Sequence, residues 1–135
     1  MGWFSNKESS RQDLPLNKMK PYGRCSFEIS GESHKTENLR KLFKIYNVTP
    51  GSYHTLDSIL KADPSNPYDK NAVEVFIDEL SVGYIPKDKA KKVSTLLLNQ
   101  AKNGEAEVFA LIKYAKDDIG FSNVRLDMDW PPELN

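Results

Sequence analysis

Asp63-Pro64-Ser65-Asn66-Pro67-Tyr68-Asp69-Lys70-Asn71-Ala72-Val73, followed closely by Val82-Gly83-Tyr84-Ile85-Pro86, is the stretch on which the reading of this chain turns. Proline fixes φ and offers no N–H, and Asn and Asp hydrogen-bond nearby backbone. The first segment is therefore expected to be a rigid loop rather than a mobile linker. Directly after it, Val73, Val75 and Ile77 alternate with Glu74, Phe76 and Asp78, the period of a strand with one buried face. Leu80 to Tyr84 reads as its hairpin partner. Pro86 suits the first turn of a helix, where its missing N–H would go unpaired anyway.

Outward from this centre the pattern continues. Ala90, Val93, Leu97 and Ala101 share a helical face, with Leu96 beside them, and Asn103-Gly104 is a normal stop. Two strands are expected beyond it, about 106–114 and about 124–130. On the other side, Cys25, Phe27 and Ile29 alternate up to Gly31, which predicts a strand from about Arg24. Thr36 is expected to cap a helix to about Tyr46, with Leu39, Leu42, Phe43 and Tyr46 on one face. Tyr53 to Ala62 is ambiguous in period and is assigned to a strand. The sum is mainly β with two helices, an α+β chain forming a small, partly open barrel of about six strands.

A length of 135 residues suits one domain. Residues 1–20 are polar and aperiodic and read as a flexible tail or arm, with 21–135 as the domain. Trp3 and Phe4 either dock on the domain or a partner, or belong to a frayed end. The start is too soon polar for a secretory signal, and Asn6 misses the myristoylation pattern. No apolar run is long enough to cross a bilayer, so no membrane role is expected. A single cysteine, Cys25, allows no internal disulfide, and a reducing, cytoplasmic setting is the default. One cysteine with His34 and His54 cannot build a four-ligand zinc site of Cys and His.

Net charge is zero. Residues 1–70 carry 11 Lys+Arg against 8 Asp+Glu, and residues 71–135 the reverse, 8 against 11. This argues against a strong grip on long duplexes, which needs many phosphate contacts, but leaves room for a small site at a strand end.

Catalysis finds little support. Cys25 alternates with Phe27 and Ile29 and reads as a buried small hydrophobe. Asp117-Asp118 beside Ile119-Gly120 reads as a solvated turn, and no phosphate-loop or dinucleotide motif is present. No cofactor and no enzymatic activity are expected. Binding is better supported. Tyr68 offers a ring for stacking, and Asp69 a carboxylate that only accepts hydrogen bonds. Asn66 and Asn71 can donate to phosphate oxygens, and Lys70 and Lys87 add local positive charge. A carboxylate repels phosphates, so it belongs where a sugar hydroxyl or base amine donates to it. Against this stands a loop that merely orders itself, with Tyr68 packed on the barrel. His34 either faces the same site or is an ordinary loop histidine. Tyr84 is read both as a core side chain and as part of the site. Gly83 fits a bulge.

The order of these words resembles the HIRAN family. It runs from the strand at Phe27 through Gly31-Glu32-Ser33-His34 and Asn38-Leu39 to Asn66-Pro67-Tyr68-Asp69-Lys70-Asn71-Ala72-Val73 and Val82-Gly83-Tyr84-Ile85-Pro86. The resemblance implies a six-stranded OB- or SH3-like barrel with two helices. In that family the domain accompanies helicase-like remodelling and DNA-repair proteins, and it also occurs alone. The best understood members capture the 3′-hydroxyl end of single-stranded DNA. By position, Tyr68 would stack on the terminal nucleotide, Asp69 would accept from its 3′ hydroxyl, Asn66 would help hold the backbone and Lys87 would meet a phosphate. After Gly31 those members carry an arginine and tyrosines that sandwich the bases, where this chain has Ser33, His34 and Lys35. The implied function is a nucleic-acid-binding module for single-stranded DNA ends in repair or replication-fork processing. The alternative is a protein-interaction or scaffold domain recruiting a partner through the N-terminal arm or a barrel edge.

Overall fold

A computed structural model describes residues 16–115 and 123–135. The expectations about Trp3, Phe4 and the Asp117–Gly120 turn lie outside those residues. Strand β1 (Phe27–Glu28) leads through a 3₁₀ turn, Glu32–His34, into helix α1 (Thr36–Ile45). Strands β2 (Tyr53–Ala62), β3 (Val73–Ile77) and β4 (Leu80–Tyr84) follow. Helix α2 (Lys87–Gln100) then precedes β5 (Glu105–Lys113) and β6 (Val124–Asp127). Among the described residues the strands form one antiparallel sheet in the order β1-β6-β5-β2-β3-β4.

The sheet curls until its two edges touch. Just past β1, Ser30 donates its N–H to the Tyr84 carbonyl at 2.8 Å, and Tyr84 donates back to the Ser30 carbonyl at 2.8 Å. This single bridge is the seam of the half-open barrel. Alternation explains the interior. Val73, Val75 and Ile77 from β3 share one buried core cluster with Ala106, Val108, Ala110 and Ile112 from β5. Leu39, Leu42 and Phe43 close the barrel from α1, and Ala90, Val93 and Leu97 from α2. Each large side chain so buried contributes about 1.5–3 kcal/mol before entropy is counted.

Several boundaries differ from the sequence expectation. The first strand is only Phe27–Glu28, and the chain bends at residues 23–25 just after the Asp127 carboxylate takes the N–H groups of Tyr22 and Gly23, both at 2.8 Å. Cys25 sits on that bend, half-buried rather than in the core. Burial, and then the Asp127 charge, push its thiol pKa up. The last strand stops at Asp127 rather than Trp130, since the Asp129 N–H turns to the Lys20 carbonyl at 2.9 Å. Thr36 is the first residue of α1 and does not cap it; Lys35 holds the capping position without a side-chain bond. Residues 17–20, read from sequence as the end of the tail, are part of the fold. Asn17 accepts from Glu107, and Met19 is buried. Among the described residues no helix is long and apolar enough to cross a membrane, and no cluster of His, Cys, Asp or Glu could hold a metal ion.

Candidate functional site

The loop between β2 and β3 is tied at its base by the Asp63 N–H, which donates to the Ala72 carbonyl at 2.9 Å. Inside it Asn66 is the brace. Its Oδ1 accepts from the N–H groups of Tyr68 (2.9 Å) and Asp69 (3.1 Å), and its Nδ2 donates to Asp63 Oδ2 at 3.3 Å. Asp69 Oδ1 accepts from the Asn71 N–H at 2.9 Å, and the Asp69 carbonyl accepts from Ala72. The expected rigidity thus has specific bonds behind it. The network leaves out the Tyr68 ring, which is 94% exposed and does not pack on the barrel. Asn66→Ala is expected to lower stability by about 1–2 kcal/mol, because two N–H groups lose their acceptor and the Asp63 carboxylate is left with Ser65 Oγ. Urea unfolding reads this, and an unchanged midpoint would mean that the loop holds its shape without the brace.

This loop forms one wall of an open cleft of about 400 Å³ lined by Asn66, Tyr68, Asp69, Ala72, Ser30, Tyr84, Ile85 and Lys87. The cleft therefore lies on the barrel seam, between the Tyr68 loop and the first turn of α2. Lys87 brings a cation, and Pro86 precedes the helix, whose first N–H groups favour negative charge at that end. Ser30, Ala72 and Ile85 were not singled out from the sequence. Ser30 could have been, as the outward residue after buried Ile29.

Tyr84 is half-buried and forms part of the cleft wall. Burial first, then the charge and hydrogen bond of Glu74, push its hydroxyl pKa up, so it stays protonated at neutral pH. Glu74 also accepts from Ser81 Oγ at 2.5 Å and lies 3.9 Å from Lys35 Nζ. The Lys35 ammonium in turn sits 5.7 Å from the Tyr84 ring centroid. Lys35 therefore supports Tyr84 from behind. Ser33 and His34 are exposed on the 3₁₀ turn beside β4 and are not among the residues lining the cleft. Glu32, between Gly31 and Ser33, is buried and reaches β6. Tyr84, Asn66, Tyr68, Asp69 and Lys87 are thus brought together, while Ser33 and His34 stand outside.

A larger depression, about 480 Å³, lies elsewhere on the sheet. Asp57, Asp78, Glu79, Glu105 and Glu107 line it against Lys61 alone among cations, and Lys61 is 3.8 Å from Glu105. That charge repels phosphates, so size does not decide between the two.

A family model for the HIRAN domain matches residues 23–133. No curated protein and no solved structure matches the chain.

Proposed function

The chain belongs to the HIRAN domain family, and from that premise we propose that it is a binding module which holds the 3′-hydroxyl end of single-stranded nucleic acid in the seam cleft. The observation that carries this reading is the exposed Tyr68 ring on a braced loop, directly beside Asp69 and across from Lys87. Tyr68 stacks on the terminal base or sugar. The Asp69 carboxylate uses one oxygen for the Asn71 N–H, and its other oxygen accepts from a terminal hydroxyl. A terminal phosphate in that place would meet a carboxylate and be rejected. Lys87 and the α2 N-terminus receive the preceding phosphate. Asn66 acts within the loop, shaping it through its own bonds rather than reaching the strand.

With Lys87 the one cation among the described cleft-lining residues, affinity should fall only gently with salt. A slope of about −0.7 per neutralised phosphate is typical for single strands. The test is fluorescence anisotropy with short labelled DNA strands ending in a 3′ hydroxyl or a 3′ phosphate. The hydroxyl end is expected to bind about tenfold tighter, since a hydrogen bond to a charged group contributes about 1.5–3 kcal/mol. Asp69→Asn keeps an acceptor for Asn71 and should largely erase that preference. Equal binding of the two ends by the native protein, or no binding at low salt, would refute the proposal.

A further inference from the structure

We propose that Trp130 is a second stacking residue, one that takes a base of the strand upstream of the end held in the cleft. This rests on the end-binding reading and extends the site beyond the cleft. Trp130 is 38% exposed, and the Phe27 ring backs it, with centroids 5.8 Å apart and planes tilted by 32°. Its backbone N–H donates to Asp129 Oδ1 at 2.9 Å, and the Asp129 N–H donates to the Lys20 carbonyl, so the ring stands on a fixed segment.

Two walls of the cleft lead to this ring. Phe27 lies three residues before Ser30, roughly 10 Å along an extended chain. Lys89, whose Nζ is 5.9 Å from the Trp130 ring centroid, lies two residues after Lys87 on the first turn of α2. Ser30 and Lys87 both line the cleft. A strand whose end rests at Tyr68 and Asp69, with its first phosphate at Lys87, passes over that turn. Trp130 is the aromatic surface waiting beside it.

Lys89 serves as a placeholder there. Its ammonium hovers over the indole and lies 3.4 Å from Asp88 Oδ2, an exposed pair of little strength. A base stacks on an indole more firmly than an exposed ammonium rests on it. The incoming base therefore displaces Lys89, which swings to a phosphate instead. This arrangement supplies a stacking surface in a chain whose Ser33 cannot stack.

The chain has two tryptophans, so Trp3→Phe leaves Trp130 as the sole indole reporter. Oligo-dT of roughly two and roughly eight nucleotides, both with a free 3′ hydroxyl, is titrated into that protein; the longer strand falls within usual single-strand site sizes. The longer strand is expected to quench Trp130 emission, while the shorter competes for the cleft in anisotropy without quenching. Trp130→Ala should weaken the longer strand about tenfold and leave the shorter unchanged, with Trp130→Phe in between. Circular dichroism confirms that the variants are folded. If the longer strand binds with its Asp69 dependence intact but neither quenches Trp130 nor responds to Trp130→Phe, the second stacking site is refuted. If neither strand binds, the end-binding reading falls and takes this one with it.

Discussion

Gly83→Ala is expected to lower stability by about 3 kcal/mol or more and the melting temperature by roughly 10 °C. Gly83 has φ +152°, and a methyl added there would lie 2.5 Å from the Ser30 carbonyl oxygen and 2.9 Å from Ile29 Cδ1. The isoleucine tip could shift. The carbonyl cannot, because it accepts the Tyr84 N–H that closes the seam. The residue therefore carries two penalties at once, a backbone conformation that L side chains rarely adopt and a collision with main chain. The irregular register between β3 and β4 falls at the same place, between Val75 and Phe76. Ser30 and Tyr84 both line the cleft, so the proposed strand binding should weaken together with the fold. A melting point within about 3 °C of the native protein would show that the strands part easily there, against the geometry argued above.

Replacing Glu32 by alanine is expected to cost about 2–3 kcal/mol, and the pH dependence of the native protein should trace to the same carboxyl. Glu32 is 5% exposed. Its Oε2 accepts from the Val124 N–H at 3.3 Å, and the backbone N–H groups around it favour its charged form. It thereby pins the 3₁₀ turn to the start of β6. Burial raises its pKa above the ordinary 4.5, and this outweighs the lowering by those N–H groups. Because the folded value is raised, the carboxyl's contribution is fully present below about pH 4.5. It is lost as pH rises through the folded value. The stability of Glu32→Gln relative to the native protein should therefore climb from acid toward neutral pH, since the amide keeps an acceptor without the buried charge. Urea midpoints at several pH values measure this. A difference independent of pH would mean that Glu32 is solvated in the folded state.

Much of this fold was legible because its strands obey one rule. Val73-Glu74-Val75-Phe76-Ile77 alternates between core and outer face as read, and α1 presents Leu39, Leu42 and Phe43 inward at the helical spacing. What failed to show were contacts between residues distant in sequence. Alternation from Cys25 to Ile29 promised a full strand, but Asp127, about a hundred residues away, takes the N–H groups before it. Glu32 gave no sign of burial, since a carboxylate is expected at the surface unless a partner is known. In the site, Tyr68 and Asp69 could be singled out because aromatic and acidic neighbours on a proline-bound loop are chemically unusual. Ser33 and His34 adjoin Gly31 in sequence, yet the 3₁₀ turn carries them past the cleft.

The seam between Ser30 and Tyr84 gives the cleft a further meaning. Two backbone bonds join edges 54 residues apart in the chain, whereas β2 and β5 share a ladder nine residue pairs long. The seam is therefore opened by local fluctuation more easily than that ladder. A strand end lodged across it would act as a rivet, slowing amide exchange at Ser30 and Tyr84 while leaving the β2–β5 ladder nearly as it was. Ligand affinity and breathing of the barrel would then be two measures of one motion.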